Sequence, residues 1–238
     1  EEVRPAIPVN SVGAPQPAMS VFDERKLELE LDEAVKKMES AQSVEDWLPF
    51  IIDAEKHRDA IAAFFKKSGG KLGALSMRPS GSRVQLLPSD ARQRLFSLTT
   101  SRCPGGAILQ AREKDGVAQF HWPLFEQSHD QLFDRFIEAS DTGGGSHWFR
   151  LLCQLGHDFD LPEASRERWL CLRVQSGAAD QQVNLHVNKD SPAGRYLSTH
   201  LAWGKVFLTD LLVGRMEVDG VKVHVVLDCA GTRAEGGL

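Results

Sequence analysis

The side chains best suited to chemistry are concentrated between residues 121 and 160: His121, His129, Asp130, Asp134, His147, His157, Asp158 and Asp160. Imidazole and carboxylate groups together can hold a metal ion or pass a proton. Two His-Asp dipeptides, His129-Asp130 and His157-Asp158, are the set on which a metal-dependent or His/Asp-based hydrolase would draw. Their spacing does not support that reading. There is no H-E-x-x-H, and neither dipeptide has further ligands at a known offset. His129 and Asp130 also suit the polar first turn of a helix, and Asp160 suits a turn before Pro162. The plainer expectation is solvated loops and caps, with no metal and no cofactor.

Other chemistry is weaker still. No G-x-S-x-G is present, and the four cysteines, Cys103, Cys153, Cys171 and Cys229, form no C-x-x-C. Widely spaced cysteines at this density read as small buried hydrophobes in a reducing, cytoplasmic setting. Cys103, before Pro104, has nothing beside it in sequence to lower its pKa. Gly143, Gly144 and Gly145 before Ser146 could present backbone N–H groups to an anion. They lack the lysine and preceding strand of a phosphate loop, so a linker is the simpler reading. Tyr196, the sole tyrosine, lies with Arg195 and His200 on a short helix near Lys189 and Asp190, which reads as a sheet cover rather than a pocket wall.

The elements that must position these groups follow from pattern. Leu27, Leu31, Ala34, Val35 and Met38 recur at helical spacing. Ser43 is a plausible N-cap for a second helix, whose stripe would be Trp47, Ile51, Ala54, Ile61 and Phe65 up to Gly69-Gly70. These two helices are expected to form a hairpin over 21–70, preceded by a flexible tail, 1–20, with four prolines. An apolar stripe of this kind can dock a partner, so Trp47, Ile51, Ile61 and Phe65 are the candidate partner-binding residues.

The remainder turns to β patterns. Asp115-Gly116 and Asp219-Gly220 are the dipeptides preferred by two-residue hairpin turns. At the second, Val218 should face Val221, Glu217 face Lys222, Met216 face Val223 and Arg215 face His224. Leu170–Val174 and Val183–Val187 alternate and read as another hairpin. Short helices are expected from Asp90 through Leu95 and Phe96, from Ser128 through Ile137, from Ser146 through Leu155, and from Ser191 to Gly204. Strands that arrive as hairpins point to an α+β fold with mainly antiparallel sheet, in two halves, 71–141 and 142–238.

The chain has 238 residues and a net charge of −5. That balance argues against general nucleic-acid binding, and no run approaches the roughly 18 apolar residues of a membrane span. The N-terminus has no charged segment followed by an apolar one, so no secretory leader is expected. With no motif that names a reaction, the sequence is read as a non-catalytic protein–protein interaction module: an adaptor or accessory subunit that binds a protein partner or itself.

Overall fold

A computed structural model describes residues 21–80, 84–87, 93–139, 145–157, 160–177 and 182–235, and the side chains of all of these except 21–24, 87 and 233–235. The expected tail, 1–20, and the glycine run at 143 and 144 lie outside the described residues. The architecture is α+β with mainly antiparallel sheet, built as a half-barrel joined to a closed barrel.

The half-barrel comes first. Helix α1, Val21–Glu39, buries Leu27, Leu31, Ala34, Val35 and Met38 against three strands of the first sheet. The apolar stripe read from sequence is therefore a packing face. The second helix is shorter than its stripe. Residues 44–57 form three short 3₁₀ turns, and only Arg58–Ser68 is α-helical, α2. Pro49 removes a donor, and Asp53 takes a left-handed φ of 52°, so no continuous helix can pass through that segment.

Strands β1 (Ala74–Pro79), β3 (Gln93–Thr100), β4 (Ala107–Lys114) and β5 (Val117–Phe120) form an antiparallel sheet in the order β1-β3-β4-β5. The helix expected through Leu95 and Phe96 is thus strand β3. Its outward Leu95 and inward Phe96 are both buried, so its two apolar faces mimic a helical stripe. Helix α3, Trp122–His129, follows β5 directly, with His121 as its N-cap. Ser128 does not open a helix as its spacing suggested. It lies inside α3, where its Oγ donates to the Leu124 carbonyl and accepts the Ile108 N–H, each at 2.8 Å. Helix α4, Leu132–Glu138, starts instead after Gln131 in a left-handed conformation.

The second unit is a ring of five strands: β6 (His147–Gly156), β7 (Trp169–Gln175), β8 (Val183–Asn188), β9 (Val206–Val218) and β10 (Val221–Cys229). Ser146 precedes a strand, not a helix; Phe149, Leu151 and Cys153 point into the barrel from β6. The ring runs β6-β7-β8-β10-β9 and back to β6, antiparallel except for β8 and β10, which pair parallel through His186 and Val225. Helix α5, Glu163–Arg166, precedes β7, and helix α6, Pro192–His200, joins β8 to β9. This is the connectivity of an OB-type Greek-key barrel. Pairing of β9 with β10 sets Val218 opposite Val221, Glu217 opposite Lys222 and Arg215 opposite His224, with Asp219 and Gly220 at φ of 48° and 82°.

Strand pairing and packing both join the units. Strand β2, Val84–Leu87, leaves the half-barrel and pairs parallel with Val206–Thr209 of β9. Beside it, Leu95, Ile108, Leu124 and Leu208 form a buried cluster shared by both.

Candidate functional site

The sequence-derived candidates are consumed by packing. Trp47, Ile51 and Ile61 are buried in the core between α1, α2 and the first sheet, and Phe65 packs at its edge. Trp47 donates its indole N–H to the Met38 carbonyl at 2.9 Å and meets Phe64 and Phe65 edge-on or tilted. The stripe that suggested a docking face is the inside of this chain, and it leaves Trp47, Ile51 and Ile61 no surface to offer a partner.

The imidazoles and carboxylates are dispersed in the same way. The His129 ring is buried against Phe64 and Phe125, with centroids at 5.0 and 5.3 Å. Its Nδ1 lies 2.9 Å from Asp130, whose other oxygen accepts from Lys67 at 2.8 Å. Burial alone would raise the Asp130 carboxyl, but the Lys67 and His129 hydrogen bonds outweigh it and hold the pKa below the usual value. His157 stacks on Trp203, Asp160 accepts from Asn184, and Asp134 accepts from Ser176. Asp158 lies outside the described residues. Among the described residues no group of three or more His, Cys, Asp or Glu side chains is placed to hold a metal ion. All four thiols are buried. Burial pushes Cys103 and Cys229 upward and Cys153 to about 12, far from the thiolate a nucleophile needs.

Two surface features remain; sequence reasoning assembled neither, although it named His121 of the second. The first is an apolar strip on the outside of the barrel. Alternation on β9 turns Leu212, Gly214 and Met216 outward. Trp148 of β6 pairs with Leu212, and Leu227 of β10 lies over Gly214, where a Cβ would crowd it. Trp148 is 38% exposed, Met216 44% and Leu227 44%. Met216 also borders a groove of about 670 Å³ between the end of α4 and the β9–β10 hairpin, with Ile137 and Val223 in its walls and Glu138, Glu217 and Lys222 around it. Arg215 holds this groove's shape. It stacks on Phe136 at 4.8 Å and donates to the Phe136 and Ala139 carbonyls at the α4 C-terminus, where a cation is favoured.

The second is a cavity of about 300 Å³ at the seam, between α3 and the outer faces of β6 and β9. Arg150 of β6 sits opposite Asp210 of β9 and donates to both carboxylate oxygens at 2.6 Å. Its Nη1 donates to Gln110 of the half-barrel at 2.9 Å. Gln127 of α3 completes the network, donating to the Arg150 carbonyl at 2.8 Å and accepting its N–H at 3.0 Å. His121 lines the same cavity. Its Nδ1 accepts the Leu124 N–H, which leaves the ring proton on Nε2. Burial first, and the Arg150 charge second, lower its pKa to about 4, so the ring is neutral at pH 7.

The segment before β7 folds over the outer face of the barrel, burying Leu161 against Val218, Val223 and Val225, with Trp169 packed alongside. Ser165 donates to Asp219 in the β9–β10 turn, which ties the segment before β7 to that turn. No protein-family model, curated protein or solved structure matches the chain. Among the described residues no helix is long and apolar enough to cross a membrane.

Proposed function

We propose that this chain is a non-catalytic interaction module, and that the outer face of its barrel receives an apolar segment of a protein partner. The observation that carries this reading is the strip from Trp148 through Leu212 and Leu227 to Met216, whose last residue also borders the α4–hairpin groove. Large apolar side chains scattered singly on a surface need no explanation, whereas a contiguous patch rimmed by polar groups marks a contact site. The rim supplies both signs of charge, Glu138 and Glu217 against Lys222, which suits register-fixing contacts around an apolar centre.

The reading is tested by capture. The full chain, immobilised at one terminus, should retain a defined protein at a fixed stoichiometry from cells that make it. A variant carrying Met216→Ser and Leu227→Ser should lose it while keeping its thermal transition. Retention of the same protein by both forms would contradict the assignment. So would a chain that retains nothing and sediments as a monomer over its soluble concentration range.

A further inference from the structure

The seam cavity has a composition of its own and shares Trp148 with the strip of the interaction reading. Its polar wall brings together Arg150, Asp210 and His121, and its apolar side is made by Pro123, Leu124 and Trp148. The charges cancel: Arg150 is matched by Asp210 in a two-point pair, and His121 is neutral. A second anion entering beside Arg150 would face the Asp210 carboxylate at short range, with no further cation among the described residues that line the cavity to offset the repulsion. A cation would meet Arg150 in the same way. A neutral guest escapes both penalties.

The hydrogen-bonding capacity is directional. With Nδ1 occupied by the Leu124 amide, His121 offers a single donor, Nε2–H. Asp210 accepts two bonds from Arg150 and retains lone pairs for another donor, because a carboxylate has about four acceptor sites. One donor and one acceptor on the same wall match a group that carries an acceptor beside an N–H, such as a carboxamide or lactam. Trp148 stands two residues from Arg150 on the same face of β6, about 7 Å along the strand, where its half-exposed ring can stack on a planar guest. The volume is at the lower end of small-ligand pockets, enough for one ring and its substituents.

We infer that the seam cavity is a binding site for a small, neutral, planar ligand bearing a carboxamide or lactam, stacked on Trp148 and hydrogen-bonded to His121 and Asp210. Occupancy would tie α3 of the half-barrel to β6 and β9 of the barrel. The probe is nicotinamide, with benzoate as the anionic control of similar shape, each titrated to ~10 mM into the full-length protein labelled with ¹⁵N. The Trp148 indole signal is identified by its loss in Trp148→Ala, and the His121 ring signals by their loss in His121→Asn, which keeps a side chain able to cap α3.

Nicotinamide should shift both the Trp148 and His121 signals saturably, and benzoate should shift neither. Binding should weaken about tenfold or more in each variant, as expected when one stacking or hydrogen-bonding partner is removed, read in each case from the signal that remains. Benzoate binding as well as nicotinamide would overturn the neutral class. No saturable shift from either compound, or nicotinamide shifts that persist undiminished in both variants, would overturn the site.

Discussion

At the scale of single residues, His121 and Arg150 decide how the seam behaves. His121 has a folded-state pKa of about 4, below the ordinary value near 6.5. The unfolded chain therefore binds a proton at a higher pH than the folded one, and stability falls as pH drops from about 6.5 to about 4. At about 1.4 kcal/mol per pKa unit, the loss over that window is at most roughly 3 kcal/mol. Urea unfolding from pH 7.5 to 4 should show this fall in the wild type, and His121→Asn should flatten that part of the curve. Arg150→Met removes the side chain that donates to both Asp210 oxygens. Because the pair is partly exposed, the cost should be about 2 kcal/mol and not the larger value of a fully buried pair, read as a lowered denaturation midpoint. Neither role was legible in sequence. Arg150 and Asp210 lie 60 positions apart, and His121 stands out in sequence only as one imidazole of the 121–160 group, with nothing to mark it as the cap of α3.

At the scale of elements, local signals were readable where one face of an element is apolar and the other is not. The stripe of α1 and the alternation of Leu170–Val174 with Val183–Val187 are of this kind, and the latter pair in the expected hairpin. The signals failed at β3 and β6, which carry large apolar side chains on both faces. Trp148, Leu152 and Leu155 fall at helical spacing by coincidence, because β6 carries Phe149, Leu151 and Cys153 inward and Leu152 toward the seam. A short two-faced strand cannot be told from a buried helix by period alone. Helix α6 was read correctly from Ser191 and Pro192: the Ser191 Oγ accepts the Gly194 N–H at 2.9 Å. Gly194 has a further role, since a Cβ there would collide with the backbone of Asn188 and Lys189. Gly194→Ala, ordinarily favourable within a helix, should here lower stability by about 1–3 kcal/mol, measured by thermal or urea unfolding.

At the scale of the whole molecule, the chain spends most of its large apolar side chains on three cores: under α1 and α2, inside the barrel and at the seam. One consequence is that all four thiols are shielded. Iodoacetamide at pH 8 should leave Cys103, Cys153, Cys171 and Cys229 unmodified in the folded protein and alkylate all four in denaturant, counted by intact mass. Rapid modification of the native protein would mean that the barrel opens readily. The fold class was legible from the abundance of hairpin patterns. The barrel's closure was not, because it depends on one long strand, β9, meeting β6 on one edge and both β2 and β10 on the other.

The exposed strip is the apolar surface that this packing leaves over, and its role is tested most directly by site-specific photo-crosslinking. A photoreactive amino acid placed at Met216 should give one discrete cross-linked species with a partner protein in cells. The same group at Leu29, which is more exposed but lies on the far side of α1 from the core, should give none. Equal cross-linking from both positions, or none from Met216 in cells where Leu29 reacts, would contradict the account.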